Sequence, residues 1–374
     1  MALQELIKPF MDYFAHRRES LTRLLESEAV DAFLITNPIN VTYLTGFSGD
    51  SSYLILSKTR AILVSDARYT EQIGEECPGL EVHIRPHDQS IQKVATDLLD
   101  KLGFHRVGFE SGQLSVADLE TLVGLVPRIA WKPGRDRVES LRLVKDASEV
   151  AQIREAITIA EKAFAMFRAM LRPSDSEKDL SDDMEWYVRR AGGRSTSFRT
   201  IVAVGERAAL PHAPPTSRSV GNAELLLVDW GAVGRFYNCD LTRVFADRRI
   251  SPKLEQVYGV VLRAQQKALG AIRPGVKARD VDAEARAVIG EAGFGQFFGH
   301  GLGHGIGLQI HEAPAIRQNS DAVLQAGMVF TIEPGAYLPG WGGVRIEDDV
   351  LVTPDGFEIL THVPKEPILR IGEW

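Results

Sequence analysis

The 374-residue chain is 44% hydrophobic and 25% charged, with a formal net charge of −7, the balance of an ordinary globular protein large enough for two domains. A net negative charge without a basic patch excludes non-specific nucleic-acid binding, and two cysteines, Cys77 and Cys239, are too few for a disulfide framework. No apolar run approaches the ~20 residues needed to cross a bilayer, and the opening MALQELIKPFMDYF carries charges too early for a signal peptide, so a cytoplasmic protein with no membrane attachment is expected.

In chain order, residues 3–28 read as an amphipathic helix interrupted near Pro9. DAFLIT (Asp31 to Thr36) is a strand, Asn37-Pro38 a turn, and a short helical piece ends at Gly46. Strands at Tyr53–Leu56 and Ala61–Ser65 precede a helix around Arg68–Glu76, the strand LEVHIRP and a helix over Ile91–Leu102. The strand VGFE, a helix over Val116–Val126 and the strand-like RIAWKPG, ending near Gly134, follow. Strands alternating with helices indicate an α/β domain on a mixed sheet, expected over residues 1–138. Helix-start and surface roles account for its polar residues Asp66, Arg68 and Tyr69.

The boundary is expected near Asp136–Leu143, with a second domain over 139–374. This domain opens on a long amphipathic helix, for which Asp146 or Ser148 is the N-cap. An internal repeat follows. AFAMFRAMLRPSDSEKDLSDDMEWYVRRAGG (Ala163 to Gly193) aligns without gaps on AQQKALGAIRPGVKARDVDAEARAVIGEAGF (Ala264 to Phe294), matching Arg172 with Arg273, Pro173 with Pro274 and Gly192 with Gly293. Each unit is a helix, an Arg-Pro break and a second helix ending at glycine, and strands follow both. Two copies imply a pseudo-two-fold α+β domain in which two helix pairs cover a shared sheet. SFRTIVAVGERAALPHAPPT precedes the next strands, and by itself its His212 reads as a loop residue.

Two acidic hairpins lie beyond. In ELLLVDWGAVGRFYNCDLTRVF (Glu224 to Phe245) the turn is expected at Ala232–Arg235. Asp229 and Asp240 then become opposite or diagonal neighbours on one face, ~4.5–8 Å apart between Cβ atoms, with Cys239 on the other face. In VFTIEPGAYLPGWGGVRIEDDVLV (Val329 to Val352) the turn is Leu338–Gly342, so Glu333 and Glu347 share a face, and Arg345 shares it by strand alternation. Burying four carboxylates costs several kcal/mol each unless cations compensate. Lys and Arg are scarce nearby, and two divalent ions supply the charge.

Between the hairpins lies FFGHGLGHGIGLQIHEAP (Phe297 to Pro314), which carries His300, His304 and His311 among glycines that let backbone approach closely. One imidazole with four carboxylates is an oxygen-rich set that suits Mn²⁺ and tolerates Co²⁺, Fe²⁺ or Zn²⁺. Two such ions form a hydrolytic centre in which a bridging hydroxide is available near pH 7. The remaining histidines and Arg345 are then free to bind substrate and stabilise an oxyanion. Other motifs are absent: HEAPA has Ala315 where H-E-x-x-H requires histidine, and there is no P-loop, G-x-G-x-x-G or G-x-S-x-G.

At these residues the chain resembles the pita-bread metallopeptidases, the family of methionine aminopeptidase, prolidase (Xaa-Pro dipeptidase) and aminopeptidase P, with the metal-free creatinase. The matching pieces are VDWGA, NCDLTR, GHGIG, HE, TIEPGAY and VRIED, with weaker likeness in PINVTYLTGFSG and LVSDARY. The resemblance implies an α+β fold: a C-terminal pita-bread domain preceded by a smaller α/β domain of the creatinase/prolidase N-terminal type.

It further implies that Asp229 chelates one metal, that Asp240 and Glu347 bridge two, and that His304 and Glu333 complete the second. Glu333 also handles the nucleophile's proton. LPHAPP places His212 at a substrate and proton-handling position. His311 matches a histidine on the scissile peptide, and His300, Tyr337 and Arg345 match further active-site positions of the prolidase/aminopeptidase P branch. The implied substrate is a small peptide with proline second, acted on by a homodimer. Dipeptidase and aminopeptidase remain alternatives. So do hydrolysis of another small amide at the same centre and a non-catalytic binding protein that retains the fold.

Overall fold

Short β-branched runs separated by capped helices fold, in a computed structural model that describes residues 12–26, 28–221, 223–246 and 250–369, into two units, Met1–Arg142 and Leu143–Trp374. The stretch before residue 12, including the expected interruption at Pro9, lies outside the described residues.

The first unit runs α1 (Tyr13–Glu26), β1 (Ala32–Ile35), α2 (Pro38–Thr45), β2 (Tyr53–Ser57), β3 (Ala61–Asp66), α3 (Thr70–Glu76), β4 (Glu81–Arg85), α4 (Ile91–Lys101), β5 (Arg106–Glu110), α5 (Val116–Leu125), β6 (Ala130–Gly134) and α6 (Arg137–Arg142). Its six strands form one mixed sheet in the order β4-β3-β2-β1-β5-β6, antiparallel at β1–β2 and β2–β3 and parallel elsewhere. Local chemistry sets the helix ends. The Asn37 side chain accepts the Ile39 N–H ahead of Pro38, Gly46 ends α2 at φ +80°, and Ser90 and Ser115 cap α4 and α5. Buried Glu110 accepts the Thr36 and Asn37 N–H groups at 2.6 and 2.8 Å and the Asn40 amide at 2.6 Å, tying β5 to the start of α2. Asp66 accepts from Arg68 and Tyr69 donates to exposed Asp50, which are turn and surface roles.

The second unit contains α7 (Ala147–Met170), α8 (Glu177–Arg190), β7 (Ser195–Thr196), β8 (Ile201–Val204), β9 (Leu225–Trp230), β10 (Ala232–Val233), β11 (Leu241–Ala246), α9 (Pro252–Ala271) and α10 (Ala278–Glu291). Then come β12 (Gly303–Gly305), β13 (Glu312–Ile316), β14 (Val329–Ile332), β15 (Gly335–Leu338), β16 (Gly342–Arg345), β17 (Asp348–Thr353), β18 (Gly356–Ile359) and β19 (Ile368–Leu369). The repeat is structural: Met170 and Ala271, Glu177 and Ala278, and Arg190 and Glu291 are equivalent helix ends, each pair 101 residues apart. Gly192 and Gly293 both have positive φ, where other residues are strained. Asp146 caps α7 in a capping box with Glu149, and Ser176 caps α8 with Asp179.

Strands β8, β9 and β11 form an antiparallel meander, extended by β19. Strands β13, β12, β14, β17 and β18 form the second sheet. The two sheets meet at the bridge between Thr242 and Glu347, so a shared central sheet is built from two halves joined at one point. Each helix pair covers its own half. Phe164, Phe167 and Met184 pack with Val202 and Val228, and Ala264, Ala285 and Ile289 pack with Phe330 and Val350. Fully buried Trp230 stacks on Phe164 at 4.3 Å and donates its Nε1 to the Ala160 carbonyl at 3.1 Å.

One expected turn shifts. The first hairpin pairs Trp230 with Leu241 and Val233 with Asn238, so it reverses at Arg235–Phe236, with the Gly234 N–H on the Tyr237 carbonyl, instead of at Ala232–Arg235. Tyr237 and Cys239 are anchored in the core, and the Tyr237 hydroxyl donates to Glu149. Only the two exposed or half-exposed residues between Gly234 and Tyr237 are left to turn.

Candidate metal centre

The two hairpins deliver the acids. Asp229 stands opposite Thr242, which makes Asp240, two residues earlier on the return strand, its diagonal neighbour. In the second hairpin, Ile332 pairs with Asp348 and Gly335 with Arg345, so Glu333 and Glu347 fall directly opposite each other. His304 is carried between them on β12. That strand fits because Cβ atoms at Gly303 and Gly305 would lie only 1.9 and 2.1 Å from backbone oxygens of Thr331 and Ala313. The His304 Nε2 is 3.6 Å from Asp240 and 3.5 Å from Glu333. Ligand atoms of Asp240, His304 and Glu347 lie within 4.8 Å of one another.

The charge balance is unfavourable without cations. Burial, then Arg345, act on Asp229 in opposite senses, and burial wins, raising its carboxyl. Burial, then the negative charges of Glu347 and Asp229, push Asp240 well up, and Glu347 rises for the same reason. Burial takes Glu333 to about 8. Among the described residues no donor reaches Asp229 Oδ1 or Asp240 Oδ1, and Arg345 is the only buried guanidinium among them that pairs with the group. Buried carboxylates in this state are expensive without metal, and their unbonded oxygens are what divalent ions bind.

The histidines fit as well. Burial lowers His300 and His304 to about 4, so both rings are neutral at pH 7. The His304 Nδ1 faces the Gly305 carbonyl at 3.1 Å. A carbonyl only accepts, so Nδ1 carries the hydrogen and Nε2 presents its lone pair to the carboxylates. His300 works the same way. Its Nδ1 donates to the Gly301 carbonyl at 2.7 Å, and its Nε2 accepts from the Tyr337 hydroxyl at 2.9 Å. That hydroxyl in turn accepts from Arg345 Nη1 at 2.8 Å. Arg345 also donates to Thr242 Oγ1 at 3.0 Å and to Asp229, so a chain of bonds runs from His300 to the Asp229 carboxylate.

All ten side chains singled out in the sequence line one cavity of about 590 Å³. His212 and His311 stand on its wall, exposed to the opening, and the His311 ring meets that of His304 at 4.2 Å, edge to face. Sequence reasoning missed several contributors. Arg199 and Arg317 also line the cavity, and neither has an ion-pair or hydrogen-bond partner among the described residues. Their positions, beside SF in SFRT and just after HEAPAI, carried no motif of their own.

Also missed was the support beneath the acids. Fully buried Arg243 donates to the Thr242, Glu347, Val363 and Pro364 carbonyls and pairs with Asp348 at 2.7 Å. Asp349 accepts the Asp240 N–H at 3.1 Å. The adjacency of Arg243 to Asp240 and of Asp348 and Asp349 to Glu347 was the available signal.

Residues 151–354 match the model of metallopeptidase family M24, and residues 17–144 match the creatinase/prolidase N-terminal domain. The chain is similar to a Xaa-Pro dipeptidase of Pyrococcus furiosus, with 34% identity over 94% of this chain and 99% of the relative. Among solved structures it is similar to a Xaa-Pro dipeptidase from Bacillus anthracis, with 37% identity and a TM-score of 0.91 over 95% of this chain and 99% of the other. It is also similar to an X-Pro aminopeptidase from Thermotoga maritima, with 35% identity and a TM-score of 0.88 over 93% and 99% of the two chains. The chain belongs to metallopeptidase family M24 and carries the creatinase/prolidase N-terminal domain ahead of its pita-bread fold.

Proposed function

We propose that the protein hydrolyses the bond between an N-terminal residue and proline in small peptides, using two divalent ions held by Asp229, Asp240, His304, Glu333 and Glu347. The observation that carries this reading is the convergence of one neutral imidazole nitrogen, three buried carboxylates and the half-buried carboxylate of Glu333. Asp229 would hold the first ion, Asp240 and Glu347 would span both, and His304 with Glu333 would hold the second. The oxygen-rich set favours Mn²⁺. When bound, the ions polarise the scissile carbonyl and make water acidic enough to attack near neutral pH.

The chain's own residues supply the rest. A Glu333 carboxylate oxygen takes the attacking water's proton and returns it to the departing prolyl nitrogen. His311 and His212, on the cavity wall, contact the peptide on either side of the bond, and the Tyr337 hydroxyl and Arg345 fix Asp229 and His300 in place. Arg199 and Arg317, two guanidiniums in the same cavity without partners among the described residues, favour a substrate with a free carboxylate nearby, so a dipeptide is the preferred reading over a longer peptide. Two buried free thiols accord with a reducing cytoplasm, and family resemblance supports a homodimer.

A panel of Xaa-Pro, Xaa-Pro-Xaa and proline-free peptides, assayed with and without Mn²⁺, tests the assignment. The expected result is metal-dependent release of the N-terminal amino acid from Xaa-Pro. Turnover that survives exhaustive chelation contradicts it.

A further inference from the structure

Beside the metal site lies a buried ion pair that the chemistry above does not use. Lys145 Nζ is 3.5 Å from Glu312 Oε2, with side-chain exposures of 0% and 6%. Lys145 is itself pinned, its N–H donating to the Gly327 carbonyl at 2.8 Å, an approach that the glycine permits because a Cβ there would lie 3.1 Å from the Lys145 carbonyl oxygen. On the other side, Glu312 Oε1 accepts the Gln309 N–H at 2.8 Å. Its carboxylate presses on Gly307, where a Cβ would come within 2.7 Å of Oε2. Gly307 donates to the Gln309 carbonyl at 3.1 Å, and its own carbonyl receives the Asn238 amide at 2.9 Å. The carboxylate thus sits at the centre of a small fold-back covering residues 307–312.

This fold-back carries His311, whose ring is 4.2 Å from that of His304, edge to face. Buried ion pairs are weak stabilisers, since apolar residues of equal volume often hold a fold as well or better. What a charged pair supplies is a defined geometry. We propose that Lys145 and Glu312 are positioning residues: their ion pair holds the 307–312 fold-back so that His311 faces the reacting peptide. The catalytic part of this statement rests on the role assigned to His311 above, whereas the positioning part does not.

The test uses metal-loaded full-length protein with the substitutions Lys145→Met and Glu312→Gln, each alone and in a His311→Ala background. Glu312→Gln keeps volume and acceptor oxygen and removes only the charge, so it decides the matter if Lys145→Met does not fold. Deuterium exchange is read on the peptide covering 305–312, and kcat/KM on Xaa-Pro. The expected result is faster exchange confined to that peptide and a loss of about 10- to 100-fold in kcat/KM, the scale of a ~1 Å misplacement, shrinking below about twofold when His311 is already absent. Unchanged exchange in the segment, or losses that multiply in full with His311→Ala, would overturn the proposal. If the unsubstituted protein turns over no Xaa-Pro peptide, the function assigned above fails, and the exchange measurement alone still decides the positioning claim.

Discussion

Thr242 meets Glu347 twice. Its carbonyl accepts the Glu347 N–H at 3.3 Å, and its hydroxyl donates to the Glu347 carboxylate at 2.6 Å. One residue therefore closes the seam between the two half-sheets and aims the Glu347 carboxylate across it. Because the same hydroxyl accepts from Arg345, its direction is determined from both sides. Thr242→Val, which keeps shape and removes the hydroxyl, is expected to weaken metal binding ~10- to 100-fold, as loss of an outer-sphere partner does. Competitive titration with a chelating dye measures it, and an unchanged affinity would show that Glu347 needs no such guide.

Glu347→Ala removes one of the proposed metal ligands outright. Turnover of Xaa-Pro should fall by more than the ~100-fold expected for an outer partner, and metal content by elemental analysis should fall with it. Full turnover with reduced metal content would assign the chemistry elsewhere.

Metal removal should destabilise the second unit, because the carboxylates then repel one another without compensation. At free metal near 100 times its dissociation constant the bound state gains ~2.7 kcal/mol, worth about 5–11 °C in melting temperature for a unit of this size. Calorimetry before and after chelation, with Mn²⁺ added back, checks both the size and the reversibility of the shift.

Arg243→Met tests the support beneath the acids. The substitution leaves Asp348 with Lys365 as its remaining cation, at 2.7 Å, and takes a donor away from four backbone carbonyls. A loss of ~3–5 kcal/mol is expected, the range for breaking a buried pair from one side. Urea unfolding would read it as a lower midpoint with an unchanged slope.

Both cysteines should be silent in the native protein. Cys77 and Cys239 are buried free thiols, and burial raises both, Cys77 to about 11. At pH 8 each therefore stays protonated and unreactive. A thiol reagent should titrate none before denaturation and two after it, and rapid native labelling at pH 8 would contradict the burial.

The acidic hairpins, the glycine-bordered histidines and the doubled helix pair could be read directly from the sequence, because each depends on short-range periodicity. Residues two apart on a strand share a face, a loop's length sets which residues oppose one another, and a helix ends where Arg-Pro or glycine ends it. That is why the pairing of Glu333 with Glu347 follows from their equal distance to Gly340, and why the Arg-Pro break recurs at both helix ends. The turn at Arg235–Phe236 depended on where Tyr237 and Cys239 found room in the core. The clasp of Arg345 on Asp229, the Arg243 support, the placing of Arg199 and Arg317 on the cavity, and the Lys145–Glu312 pair were likewise decided only by the tertiary structure. Each joins or places side chains from segments far apart in the chain, and its geometry exists only after the half-sheets have met and excluded water, where alternation along any single strand has no influence.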